Sequence, residues 1–147
     1  MAFCVLVFAH SPAWAQQARL PVPDKQPNKP LLFASLPSSF EVSASELQKI
    51  FSASLNDELL LKLSDQLLIQ GKIVDKNQHN PGSVSINIRV SNYANALFNI
   101  TLKLQADNSA AMQGRILHPK YGDVLQLYKQ GERYFIKKTS QALFMPE

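Results

Sequence analysis

The chain has 147 residues, a formal net charge of +4 from 15 Lys and Arg against 11 Asp and Glu, and a single cysteine. That length fits one domain. The positive charge is too slight and too scattered for a dedicated nucleic-acid binder, and one cysteine excludes an internal disulfide or a multi-cysteine metal site.

Residues 1–15, MAFCVLVFAHSPAWA, place an apolar run at 3–9 ahead of Ala13-Trp14-Ala15, a small-x-small cleavage pattern. Together they read as a signal peptide, so the expected location is the periplasm or the extracellular space, with Cys4 lost on cleavage. No other run approaches the roughly 18 apolar residues of a membrane-crossing helix, and no transmembrane span is expected. Residues 16–30, QQARLPVPDKQPNKP, carry four prolines and almost no apolar side chains. Proline lacks an amide donor and favours extended backbone, so this stretch reads as a Pro-rich linker. Residues 31–147 remain for a single α+β domain.

Residues 31–36, LLFASL, form a short apolar run closed by Pro37 and read as an edge strand. Ser43 and Glu46 have the spacing of a capping box. Leu47, Ile50, Phe51 and Leu55 follow at helical intervals, which predicts an amphipathic helix over 44–54. The leucine-rich stretch 59–63 reads as a further helical turn or short helix. From Gln66 the periodicity changes to alternation. Strands are predicted over 66–75, 83–91, 97–105, 110–117, 123–129 and 133–138, punctuated by the turn clusters NQHNPG, ADNS, HPKYG and QGE. The clearest signal is residues 83–105, where Val84, Ile86, Ile88 and Val90, then Phe98, Ile100, Leu102 and Leu104, occupy every second position. Gly71 marks a bulge or a close backbone approach. Short connections favour an antiparallel meander. The expected fold is therefore α+β: an N-terminal helix packed on a six-stranded antiparallel meander, as a roll or small partly open barrel. Leu143, Phe144 and Met145 are expected to tuck against the core.

Lys72, Arg89, Lys103 and Arg115 lie mid-strand on the parity opposite to the apolar residues, with Asn87, Thr101 and Gln113 beside them. Residues 66–140 hold ten basic and four acidic side chains, whereas 31–65 hold two lysines against five acids. A cationic sheet face of this kind suits an anionic partner, either an anionic polymer or an acidic protein surface. No aromatic stacking platform is interleaved on this parity, which argues against single-stranded nucleic acid. A second reading is a small apolar-ligand carrier with a pocket between helix and sheet lined by Phe51, Ile86, Phe98, Ile100 and Leu102. A third is an accessory or pro-region-like module that docks on an exported enzyme.

Nothing in the sequence supports catalysis. No serine stands in G-x-S-x-G or S-x-x-K, and the five glycines form no phosphate-binding loop. His118, Tyr121 and Asp123 in LHPKYGD read as a turn with Pro119 setting the backbone, since a metal site needs three or four ligands. No cofactor and no metal are expected, and the protein is expected to act by binding.

Overall fold

A computed structural model of the chain describes residues 29–107 and 109–140. The signal-peptide segment, all but the last two residues of the proline-rich linker, and the apolar tail at 143–145 lie outside the described residues. Eight strands and one helix follow in the order β1 (Ser39–Val42), α1 (Ala44–Ser52), β2 (Glu58–Lys62), β3 (Leu68–Asn80), β4 (Ser83–Val90), β5 (Ala96–Leu104), β6 (Ala110–Leu117), β7 (Asp123–Gln130) and β8 (Arg133–Ser140).

All neighbouring strands are antiparallel, in the sheet order β1-β8-β7-β6-β5-β4-β3-β2. The sheet curls into a half-barrel. Its two edges, β1 and β2, approach where Ser43 N–H donates to the Leu63 carbonyl at 2.8 Å. The expected helix on six strands is thereby corrected on two counts: there are eight strands, and the helix lies within the chain order, between β1 and β2, rather than ahead of the sheet. The cause is local in both cases. Strand β1 is only four residues long, too short to display a period. Strand β2 reads ELLLK, and three consecutive leucines hide the alternation: Leu61 is buried while Leu60 is 66% exposed.

Residues 31–36 are likewise not a strand. They form a turn, with Leu36 N–H donating to the Phe33 carbonyl at 3.0 Å. Two long-range anchors hold it. The buried carboxylate of Asp123 accepts from Leu32 N–H and Phe33 N–H, each at 2.7 Å. The Lys138 ammonium donates to the carbonyls of Phe33, Ala34 and Leu36. Phe33, fully buried, then packs its ring 5.3 Å from that of Tyr93 in the β4–β5 turn. That burial raises the Tyr93 phenol above its ordinary pKa.

Helix α1 starts where the capping signal places it: Ser43 Oγ accepts from Glu46 N–H at 3.3 Å. Only half the box closes, because Ser43 N–H bonds Leu63 and the Glu46 carboxylate pairs with Lys49. Leu47 and Ile50 turn inward with no exposed surface. They meet the concave face of the sheet, whose cross-strand rows are apolar across β4, β5 and β6. One row runs Ile73, Ile88, Phe98, Ile116, Leu125; the next contains Ile86, Ile100, Leu127, Ile136 and Phe40. Full burial of each such side chain contributes about 1.5–3 kcal/mol. Two glycines in this layer permit close strand contacts: a Cβ at Gly71 would lie 2.5 Å from the Arg89 carbonyl oxygen, and one at Gly114 would lie 2.5 Å from that of Asn99.

Candidate functional site

In an antiparallel sheet, directly paired residues share a face. The register therefore fixes which side chains stand on the convex side. Lys72 pairs with Arg89, and Arg89 with Leu97. The next convex row runs Asp75, Asn87, Asn99, Arg115, Gln126, Lys137. Beyond it come Ser85, Thr101 and Gln113, and then Lys103 beside Ala111. Lys72, Arg89, Lys103 and Arg115 thus occupy one face, but spread along it. Lys72 and Arg89 are immediate neighbours, and Arg115 lies one row on. Lys103 stands about 20 Å along the strands from the Lys72–Arg89 row. Lys137 belongs to the Arg115 row, a position that only the β7–β8 register reveals.

A bulge at Val74 shapes the first part of this face. Ile73 pairs with Ile88 and Asp75 with Asn87, so Val74 is the extra residue. The insertion brings Asp75 to the convex side and turns Lys76 to the row of Ile86. There Lys76 Nζ donates to the carbonyls of Phe51 (3.0 Å) and Ala53 (2.7 Å) at the end of α1. A lysine that plain alternation would assign to the convex side is thereby committed to capping the helix.

The acidic and polar groups of the convex face bond one another. Asp75 Oδ2 accepts from Asn77 Nδ2 at 2.7 Å and from Asn87 Nδ2 at 3.1 Å, and Asn87 Oδ1 accepts from Asn99 Nδ2 at 2.7 Å. A second chain links His79 Nε2 to Ser85 Oγ (3.2 Å) and Ser85 Oγ to Thr101 Oγ1 (2.8 Å). Glu58 stands in register with Lys72 on its other flank without forming an ion pair. The ion pairs among the described residues join Lys49 to Glu46, Lys62 to Asp65, Lys129 to Glu132 and Arg133 to Glu41. Lys72, Arg89, Lys103, Arg115 and Lys137 take no part in them.

Three open clefts lie against these cations. One of about 430 Å³ is lined by Lys72 and Arg89 together with Glu58, Leu60 and Val74. A second, of about 330 Å³, is lined by Arg115 with Asn99, Thr101, Gln113 and Gln126. The third, about 380 Å³, is lined by Lys103 and Lys129 with Tyr128. The last two flank a split in the sheet. Strands β6 and β7 pair only from Gly114 to Leu117, leaving residues 110–113 of β6 without a β7 partner. Tyr134 Oη fills part of the opening by accepting from Met112 N–H at 3.1 Å.

Tyr128 also stacks on Phe135, with ring centroids 5.9 Å apart, and the Arg133 guanidinium lies 5.6 Å over the Phe135 ring. Both rings stand on the convex parity, so this face does carry an aromatic pair. It lies on β7 and β8, outside the strands that hold the four cations, and its signal in sequence was the alternation of Gln126 with Tyr128 and of Phe135 with Lys137.

The residues of the apolar pocket reading fall elsewhere. Ile86, Phe98 and Ile100 have no exposed surface and belong to the packed core, while Phe51 and Leu102 are half-buried at its margin. In the turn at 118–122, His118 Nδ1 accepts from Lys120 N–H at 3.1 Å and the His118 ring meets Tyr121 edge-on at 5.0 Å. Asp123 is spent on the Leu32 and Phe33 amides. Among the described residues no three of His, Cys, Asp and Glu come together as a metal site, and no helix is long and apolar enough to cross a membrane.

Comparison with family models, with curated proteins and with solved structures yields no match for this chain.

Proposed function

We propose that this protein is an exported, non-enzymatic binding domain whose convex sheet face engages an anionic polymer. The observation that carries the reading is the state of Lys72, Arg89, Lys103 and Arg115: each lines an open cleft on one face, and none is in an ion pair among the described residues. Like charges opposite one another across a strand pair, as at Lys72 and Arg89, cost stability. A counter-charge supplied from outside removes that cost. The spread of the four cations over about 20 Å favours an extended partner over a small anion. Tyr128 beside Lys103 adds a ring surface next to a cation, which suits an acidic polysaccharide better than an acidic protein. Export is supported by the signal-like pattern of residues 1–15. The interior gives a carried apolar ligand less support, since Ile86, Phe98 and Ile100 have no exposed surface and belong to the packed core.

The test is retention on immobilised heparin over a salt series. The native protein is expected to be retained, with log affinity falling linearly with log salt. Replacing Lys72, Arg89, Lys103 and Arg115 together by Gln is expected to abolish retention at moderate salt with the circular dichroism spectrum unchanged. A control that neutralises Lys49 and Lys120, on the helix and in the 118–122 turn, is expected to stay bound. Equal retention of the quadruple variant and the native protein overturns the proposal.

A further inference from the structure

Strand β2 is one of the two sheet edges, and its hydrogen-bonding phase can be read from its ends. Ile73 N–H donates to the Asp57 carbonyl and Leu63 N–H to the Leu67 carbonyl, both at 3.0 Å. In an antiparallel ladder bonded residues recur every second position. Residues 57, 59, 61 and 63 therefore bond β3, and the amides and carbonyls of Glu58, Leu60 and Lys62 point to the open edge. No partner for them occurs among the described residues.

Native edges are normally blunted by charge, proline or a cover, and β2 is blunted only at its ends. Its middle residue, Leu60, is 66% exposed. Leu55 just before β2, together with Leu68 and Val74 on neighbouring β3, are 53%, 45% and 39% exposed. Thus four of the six exposed large apolar side chains among the described residues gather on or beside this one strand.

We propose that two copies of the chain pair through β2, edge to edge and antiparallel, about a two-fold axis at Leu60. The sequence ELLLK is self-complementary in that register and in no neighbouring one. Glu58 of one copy faces Lys62 of the other, Leu60 faces Leu60, and Lys62 faces Glu58. The phase also agrees: 58, 60 and 62 are the residues whose backbone groups are open, and this register sets open residue against open residue three times over. Opposite charges and large apolar groups directly across a strand pair are the favourable cross-strand combinations. An isologous contact of this kind closes on itself and leaves no free edge at β2. A five-residue strand gives a small interface, so the dimer dissociates on dilution. Glu58 and Leu60 also line the Lys72–Arg89 cleft, so the dimer is measured without any polyanion present, where its failure leaves the reading of the convex face untouched.

The experiment measures mass against concentration by light scattering coupled to size exclusion, and the dimer dissociation constant by analytical ultracentrifugation. The native protein is expected to show a monomer–dimer equilibrium. Glu58→Lys and Lys62→Glu, each of which sets like charges opposite one another at two symmetric positions, are expected to weaken the dimer by about tenfold or more. The double swap E58K/K62E is expected to restore it. Leu60→Pro removes an amide that β3 does not use, so it is tolerated by an edge strand and is expected to leave a folded monomer. A native protein that stays monomeric at every concentration overturns the proposal, as does a double swap no better than the single variants or an unaltered dimer in L60P.

Discussion

Asp123 shows how a single side chain decides the path of a segment ninety residues away. Its carboxylate is 4% exposed and accepts two backbone amides at 2.7 Å, from Leu32 and Phe33. Without it those amides are buried and unpaired, and each such loss costs about 1–3 kcal/mol. Asp123→Asn keeps the shape but turns a donor toward a donor. It is expected to lower stability by about 1–3 kcal/mol in urea denaturation and to expose residues 29–36 to limited proteolysis before the sheet unfolds. An unaltered urea midpoint together with an unaltered cleavage pattern contradicts this role. Lys138 works on the same turn from the other side, through three carbonyls, so loss of Asp123 is expected to loosen the segment rather than abolish the fold. Neither residue announces this in sequence. In LHPKYGD, Asp123 looks like a turn carboxylate, and the run LLFASL looks like a strand until its amides are seen to be held by β7.

At the level of elements, the legible parts were those with an unbroken period. Strands β4 and β5 alternate cleanly over Ser83–Val90 and Ala96–Leu104, and the Ser43 cap with Leu47 and Ile50 marks α1. Legibility failed where one physical event broke the period. Three leucines in β2 mask which of them faces solvent, and four residues in β1 are too few to count. The Val74 bulge reverses the parity of residues 75–78 in β3, so Lys76 changes sides. Of the candidate face, the shared side of Lys72, Arg89, Lys103 and Arg115 followed from parity alone. Lys137 and the Tyr128–Phe135 pair required the β6–β7–β8 register. The lysine moved by the bulge also supplies a test of the element it supports. Lys76→Met removes two hydrogen bonds from the carbonyls at the end of α1 and a cation from the negative end of its dipole. It is expected to cost about 0.5–1 kcal/mol and to raise hydrogen exchange in α1 more than in β4 and β5. Uniform exchange changes, or none, count against the capping role.

For the whole molecule, the half-barrel separates two kinds of surface. The concave side is apolar across its central strands and packs against α1, with Leu47, Ile50, Ile88, Phe98 and Ile100 at zero exposure. The convex side carries cations in no ion pair among the described residues, the clefts against them and the amide ladder from Asp75 to Asn99. Because Asp75 is engaged by Asn77 and Asn87 rather than by a cation, it does not neutralise the positive charge on that side, and no other acid among the described residues pairs with those cations. The side of the sheet that meets a polyanion therefore decides between these two surfaces. The most direct measurement is a titration of the isotope-labelled protein with a sulfated oligosaccharide, followed by backbone amide chemical shifts. The predicted result is a set of salt-sensitive shifts along the convex rows at Lys72, Arg89, Lys103 and Arg115, with α1 and the 29–36 turn unmoved. Shifts confined to α1 or to that turn, or no shifts at low salt, would contradict it.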